Sequence, residues 1–216
     1  ILENGSLQRT SWQFLMQIHV VDNGFFKLDG GAMFGVVPKS IWKKLNTPDE
    51  NNMCTWATRS LLLEHDNSLI LIDTGIGHKQ DVDFFRHYYL QDYESISKVI
   101  EKMGFSTSDI REVFLTHMHF DHVGGAVSRK GDKFSPTFPN ARYWTHTAHW
   151  HWAIDPNVRE KASFLKENIL PLQESGQLAF ADKEKAPIDF LCMDGHTEKM
   201  MLPKMTYKGK TLVFVS

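Results

Sequence analysis

The chain has 216 residues, of which 42% are hydrophobic, and its formal net charge at pH 7 is −2. This length can fill one globular core, and the weak charge without a basic tract argues against nucleic acid as the main partner. No apolar run is long enough to cross a bilayer, so no membrane association is expected. The two isolated cysteines, Cys54 and Cys192, give no disulfide framework, and with no visible signal peptide they predict a cytoplasmic protein.

The first predicted element is a strand in residues 17–27, whose alternating pattern is expected to end at Asn23-Gly24. Residues 1–15 are interpreted as an N-terminal extension, a tag remnant or an upstream segment, which leaves 16–216 as the domain. The glycine-rich residues 27–35 lack the Lys-Ser/Thr pair of a phosphate loop, so they are predicted to form a turn between closely packed backbone segments.

Two apolar strands, 58–64 and 68–72, are predicted to form a hairpin around His65-Asp66-Asn67. The second strand ends at Asp73, which is followed by Thr74 and Gly75. A carboxylate at the C-terminal end of a strand fits the site edge of an αβ sheet, and the alternative is an aspartate that caps its own turn.

An amphipathic helix is predicted over residues 93–103, with Gly104 placed to end it. The apolar triplet 113–115 then predicts a buried strand that ends at Thr116. The strand is expected to deliver the segment that follows it at the C-terminal edge of the sheet.

That segment contains four metal-ligand side chains within six residues: His117, His119, Asp121 and His122. Residues two apart in extended chain point the same way, so His117 and His119 can reach one metal ion, and the later pair can address a second. Imidazole and carboxylate together favour zinc, with manganese or iron as alternatives. A surface loop that is merely rich in histidine is the competing interpretation, and chance spacing of this kind is rare.

Beyond the motif, residues 128–139 are predicted to be an exposed loop, 141–144 a strand, 157–170 a helix and 211–215 a strand. Three further histidines, His146, His149 and His151, are expected at a pocket rim or on a helix surface, with a ligand role left as the alternative. Strands alternating with helices give an α/β class.

The motif HMHFDH resembles the HxHxDH signature of the metallo-β-lactamase superfamily. The turn Asp73-Thr74-Gly75 and the later Gly195-His196-Thr197 resemble two further motifs of that family, in the family's order. The resemblance implies an αβ/βα four-layer sandwich and a small-molecule substrate, and leaves a homodimer open. The glycine-rich stretch, with Trp42, is similar to the branch that holds N-acyl-homoserine lactonases and methyl-parathion-hydrolase-like enzymes.

The resemblance also implies the chemistry. His117, His119 and His196 would hold one zinc ion, while Asp121 and His122 would help to hold a second. A metal-bound hydroxide would attack an ester-type bond, with Asp121 orienting it or taking its proton. Asp73 would support a ligand or loop without binding metal.

The family's bridging aspartate and last histidine have no counterpart after His196, because residues 197–216 contain neither residue type. The expected explanation is a domain that lacks its C-terminal part. A lactone is the expected substrate, and the alternatives are a thioesterase, a phosphotriesterase, a mononuclear iron oxygenase or a scaffold without turnover. Met33, Phe34 and Trp42 are expected to form an apolar wall for an acyl chain, or else to be ordinary core residues.

Overall fold

The structure is a computed structural model that describes residues 16–65 and 68–216. The extension proposed for residues 1–15 and the hairpin turn at 66–67 lie outside the described residues. The strands are β1 Gln17–Asp29, β2 Met53–His65, β3 Ser68–Ile72, β4 Ile110–Phe114, β5 Val127–Lys130, β6 Lys133–Pro136, β7 Arg142–Thr145, β8 Leu178–Phe180, β9 Asp189–Met193, β10 Met200–Tyr207 and β11 Lys210–Val213. The α-helices are α1 Gly30–Phe34, α2 Lys39–Trp42, α3 Val82–Arg86, α4 Ile96–Lys102, α5 Phe120–Val123, α6 Thr147–Ile154 and α7 Lys166–Glu174.

Six strands form the main sheet, in the order β1-β2-β3-β4-β7-β8. The first two pairings are antiparallel, and the pairings from β3 to β8 are parallel. Parallel neighbours need crossover connections, which contain α4 before β4 and both α6 and α7 before β8. The carboxyl ends of β3, β4 and β7 therefore meet at one edge of the sheet, where ligand sites of α/β sheets form.

The two faces of the main sheet bury two separate cores, because successive strand residues point to opposite faces. On β3, Leu69 and Leu71 pack in a core with α4, α6 and α7, while Ile70 and Ile72 pack in a second core with β10. None of the seven α-helices contributes a side chain to the second core, as far as the described residues go. A helix layer and two sheets are therefore present, which is three of the four predicted layers.

A three-stranded antiparallel sheet, β11-β10-β9, forms the third layer. The backbone N–H of Met201 on β10 donates to the carbonyl of Thr116 at 2.8 Å. This bond ties the smaller sheet to the end of β4. The connection from β9 to β10 carries His196, so it lies beside the segment that follows β4.

The predicted strand end at Asn23-Gly24 is wrong, because β1 continues to Asp29 through a β-bulge between Asp22 and Phe25. Gly24 has φ +106°, and a Cβ there would lie 2.5 Å from the carbonyl oxygen of Asp92. The glycine therefore permits the bulge and the close approach of a second chain segment.

Three other segments also differ from the sequence predictions. Residues 30–34 form α1 rather than a turn, since the side chain of Asp29 accepts from Ala32 N and caps the helix. The predicted loop at 128–139 contains the hairpin β5-β6. The predicted helix at 157–170 begins only at Lys166, because the extended backbone of Phe164 and Leu165 separates α7 from a short 3-10 helix at Lys161–Ser163.

Both cysteines are free thiols, with Cys54 buried and Cys192 exposed. Of the helices within residues 16–65 and 68–216, none combines the length and apolarity that a bilayer crossing requires.

Candidate metal centre

The segment after β4 is held from three sides. Leu115 N–H donates to the Trp144 carbonyl of β7 at 3.0 Å, and the Thr116 carbonyl accepts from β10. Thr116 N–H donates to Asp73 Oδ1 at 2.8 Å, which anchors the segment to the end of β3. Residues 115–120 are all buried. The side chains that follow are therefore presented by a fixed backbone, although they lie outside regular secondary structure.

Three histidine nitrogens converge at this edge of the sheet. His119 Nδ1 lies 3.1 Å from His196 Nε2, which in turn lies 3.3 Å from His117 Nε2. The three atoms all lie within 4.8 Å of one another, with His117 and His119 buried and His196 exposed. One side of the cluster is thus open to solvent, as a site that accepts a substrate requires.

The tautomer of His117 follows from its partners. Thr116 Oγ1 lies 2.8 Å from Asp73 Oδ2, and a carboxylate can only accept, so the hydroxyl donates to Asp73. The same hydroxyl oxygen, 3.0 Å from His117 Nδ1, is left to accept a hydrogen bond from the protonated Nδ1 of the ring. His117 Nε2 therefore carries a lone pair and faces the other two imidazoles.

Burial also favours neutral, ligating imidazoles in this cluster. It lowers the pKa of His117 well below its usual value, and the nearby histidines add to that effect. Burial lowers the pKa of His119 to about 4, although the charge of Asp121 opposes the shift. The pKa of His196 is lowered as well, again chiefly by burial.

Asp121 and His122 lie beside the cluster but pair with each other. His122 Nε2 is 3.3 Å from Asp121 Oδ2, and its Nδ1 is 3.0 Å from Asp73 Oδ2. Burial acts to lower the pKa of His122, but the two carboxylates outweigh it and raise that pKa to about 10. For Asp121, burial acts to raise the pKa, and His122 outweighs it and lowers the pKa to about 2. A position between two carboxylates favours positive charge, which a proton or a metal ion can supply.

Asp73 contacts the metal loop through hydrogen bonds to Thr116 and His122. It is almost fully buried, and its backbone has φ 57°, a conformation that aspartate and asparagine adopt more readily than most residues. Its side chain therefore reaches across to neighbouring elements, and its role in supporting a metal ligand stays a prediction.

Sequence reasoning missed a carboxylate behind His119. Glu160 Oε2 lies 3.7 Å from His119 Nε2 and accepts hydrogen bonds from Trp152 Nε1 at 3.0 Å and Thr197 Oγ1 at 2.8 Å. Burial acts to raise the pKa of Glu160, but these hydrogen bonds outweigh it and lower the pKa. Carboxylates behind ligating histidines fix the orientation of the ring. No local motif marks this residue, because it comes from the irregular chain before α7.

The three later histidines separate in the structure. His146 is the N-cap of α6, and His151 is exposed on that helix. His149 is buried, so its expected place on a surface is wrong. It accepts a hydrogen bond from Met118 N–H at 2.8 Å and therefore touches the backbone of the metal loop.

An aromatic cluster from the segment between β3 and α4 also lies against the loop. The ring of Phe120 has its centroid 4.7 Å from that of Tyr88 and 5.7 Å from that of Phe84. Burial is the main cause that raises the pKa of Tyr88, and the negative charge of Asp121 raises it further. An apolar core cluster therefore packs against the acidic side of the candidate centre.

Of the predicted wall residues, Phe34 and Trp42 form one unit and Met33 does not join it. The Phe34 and Trp42 rings stack with centroids 4.8 Å apart, and Trp42 is buried against Gly30. Met33 is 40% exposed. Their role beside a substrate stays a prediction.

The donor set at the three histidines fits a transition metal. The lone pair of His117 Nε2 faces His119 and His196, and a cation bound by one nitrogen of each ring would satisfy all three. Imidazole nitrogens from three histidines are a common zinc ligand set with an open position.

A sequence profile of the metallo-β-lactamase superfamily matches residues 55–191. A probable metallo-hydrolase from Mycobacterium tuberculosis is 36% identical over 114 residues, which cover 48% of this chain and 34% of the relative. A protein from Mycobacterium bovis matches to the same extent. The matched region thus spans about a third of the length of these curated relatives.

Solved structures show the same fold. A probable metal-dependent hydrolase from Staphylococcus aureus superimposes with a TM-score of 0.81 and 31% identity, covering 92% of this chain and 71% of that one. The dizinc quorum-quenching lactonase AidC gives a TM-score of 0.70 at 22% identity, with 92% and 70% covered. The αβ/βα fold inferred from the motifs is confirmed, and the chain belongs to the metallo-β-lactamase superfamily.

Proposed function

We propose that this chain carries the zinc-dependent centre of a hydrolase that opens a lactone ring. The observation that carries the proposal is the convergence of the nitrogens of His117, His119 and His196 on one point. Support for a hydrolase comes from the family and from the probable metal-dependent hydrolase at 31% identity. Support for a lactone comes from the lactonase-like glycine-rich stretch and from the aromatic cluster beside the centre.

His117, His119 and His196 would hold the first ion, and Asp121 and His122 would contribute to a second. When bound, a zinc ion supplies an acidified water as nucleophile and acts as a Lewis acid. The chain itself supplies orientation. The hydrogen bonds from His117 through Thr116 to Asp73 fix which nitrogen of His117 faces the centre.

The role proposed for Asp121 depends on His122. While His122 is protonated, Asp121 has a pKa of about 2 and holds its proton too weakly to act as a base at neutral pH. We therefore assign Asp121 to orienting the nucleophile rather than to taking its proton.

The half-buried rings of Phe84 and Tyr88 would favour a substrate with an acyl chain. Phe120 lies in the middle of the motif and packs on Tyr88 and Phe84. Each methylene that an acyl chain buries there contributes about 0.8 kcal/mol. A thioester or phosphotriester would use the same centre, so these classes are the alternatives within one chemistry.

A metal-binding scaffold without turnover is the second candidate. The observation that favours it is the pairing of His122 with both Asp121 and Asp73, which already supplies one positive charge where a second ion would bind. A centre that holds only one ion is the expected state of such a scaffold.

The test is metal analysis of the intact gene product together with a panel of lactones, thioesters and phosphotriesters. We expect at least one equivalent of zinc and the fastest turnover with lactones. Two variants form a matched pair. His196→Ala should lose both the bound zinc and the turnover of lactones, and His146→Ala should keep both. Less than about a tenth of an equivalent of metal, with no gain on adding zinc, manganese or iron, would contradict the proposal. Stoichiometric zinc without turnover on any class would favour the scaffold.

A further inference from the structure

His149 links the two loops that carry the three converging histidines. Its Nε2 lies 2.8 Å from the backbone nitrogen of Met118, and its Nδ1 lies 2.6 Å from the carbonyl oxygen of Glu198. Met118 stands between His117 and His119, and Glu198 stands two residues after His196. One buried imidazole therefore spans the gap between both halves of the candidate centre.

The partners determine the tautomer of this ring. A backbone N–H can only donate, so Nε2 of His149 is the acceptor, and a backbone carbonyl can only accept, so Nδ1 carries the proton. Both ring nitrogens are satisfied by backbone groups. His149 consequently has no lone pair left for a metal ion, which separates it from the three converging histidines.

The packing leaves this link little freedom. His149 is 1% exposed, and its ring lies 5.9 Å from Phe164, whose ring lies 4.7 Å from His119. The two loops are also tied by the bond from Met201 N–H to the Thr116 carbonyl. Glu160 adds a longer bridge, since it accepts from Thr197 Oγ1 and lies 3.7 Å from His119 Nε2.

We propose that His149 is a positioning residue, which sets the distance between the His117–His119 loop and the His196 loop and so determines the affinity of the centre for zinc. The inference rests on the proposed function, since it requires that the three histidines bind metal. Imidazole suits the task because it joins a donor and an acceptor on opposite sides of one rigid ring.

Three variants separate positioning from general packing. His149→Leu fills the space but removes both hydrogen bonds. His149→Gln is long enough to place its amide oxygen on Met118 N–H, and His149→Asn is too short to do so. His151→Leu, which changes an exposed histidine on the same helix, is the matched control.

The measurements are the zinc dissociation constant, by competition with a chromophoric chelator, and the absorption spectrum of the cobalt(II) form. We expect His149→Leu and His149→Asn to weaken zinc binding about 10–100-fold and to alter the cobalt spectrum, the range typical of residues that orient metal ligands. His149→Gln should stay within about fivefold of the parent, and His151→Leu should match it.

Unfolding of the metal-free variants is followed in parallel. A lower melting temperature in His149→Leu with unchanged zinc affinity and cobalt spectrum would show a merely structural role and overturn the inference. If His149→Leu does not fold, the comparison of His149→Asn with His149→Gln decides, and equal affinities overturn the inference. A parent protein that binds no zinc would instead overturn the proposed function, and the inference with it.

Discussion

The carboxylate of Asp73 accepts a hydrogen bond from His122 Nδ1 at 3.0 Å. The same carboxylate accepts from the hydroxyl and the backbone N–H of Thr116, and that hydroxyl accepts from His117. One buried aspartate at the end of β3 thus orients a candidate ligand of each metal position.

Replacing Asp73 with asparagine should weaken the second zinc position more than the first. Asparagine tolerates the positive φ of this residue, so the backbone is expected to persist. It removes the negative charge that favours a cation at His122. We expect the affinity for a second equivalent of zinc to fall about 10–100-fold, measured by titration calorimetry.

The matched control is Asp132→Asn, whose side chain is fully exposed in the β5-β6 hairpin. It should bind zinc as the parent does. Equal affinities of Asp73→Asn and the parent for the second equivalent would remove Asp73 from the support of the centre.

His117→Ala should abolish hydrolysis and leave the fold largely intact. His117 lies on the loop after β4, outside both hydrophobic cores, so its loss removes a ligand without opening a core cavity. Turnover and far-UV circular dichroism should be measured on the same sample. Turnover near that of the parent, with metal still bound, would exclude His117 from the centre.

Lys79 should make the stability of the protein depend on pH. It is 6% exposed and donates to the Gly124 carbonyl, and burial lowers its pKa to about 7 although the charge of Glu167 opposes the shift. Between pH 7 and the ordinary lysine pKa, the unfolded chain binds more protons than the folded one, so stability rises with pH. We expect a rise of about 2 kcal/mol between pH 7 and pH 9 from this group.

The control for Lys79 is Lys79→Met, which keeps the aliphatic stem and removes the amine. Its free energy of unfolding by urea should vary less with pH over the same interval. A parent and a variant with parallel pH profiles would show that Lys79 does not carry the dependence.

Phe34→Ala tests the predicted substrate wall. If Phe34 is a wall residue, its removal should change the preference for long-chain over short-chain lactones, with a modest loss of stability. The expected change in transition-state free energy, obtained from the ratio of kcat/KM values, is about 1.5–3 kcal/mol. A core residue should cost about 2–5 kcal/mol of folding free energy and affect all substrates alike. The stacking of Phe34 on buried Trp42 makes Trp42→Ala the comparison for the second outcome.

The sequence alone determined the family and much of the local structure. The strand at 68–72, the core of the helix at 93–103 and the strand before the motif are confirmed, because their apolar patterns match the period of the element they form. The ligand types at fixed spacing after an apolar strand indicated metal chemistry without any knowledge of the fold. Irregular backbone and element boundaries were predicted less well from the sequence, as the bulge at Gly24 and the late start of α7 show.

Only the tertiary structure decided which groups surround the motif. No local sequence pattern marks His149 or Glu160, because the role of each depends on a partner in another element. That partner is Met118 for His149 and His119 for Glu160. The convergence of His117, His119 and His196 likewise depends on the parallel order of β3, β4 and β7 and on the bond from β10 to Thr116. Sequence periodicity reports which face of an element is buried, whereas the distance between side chains from different elements is set by how those elements pack.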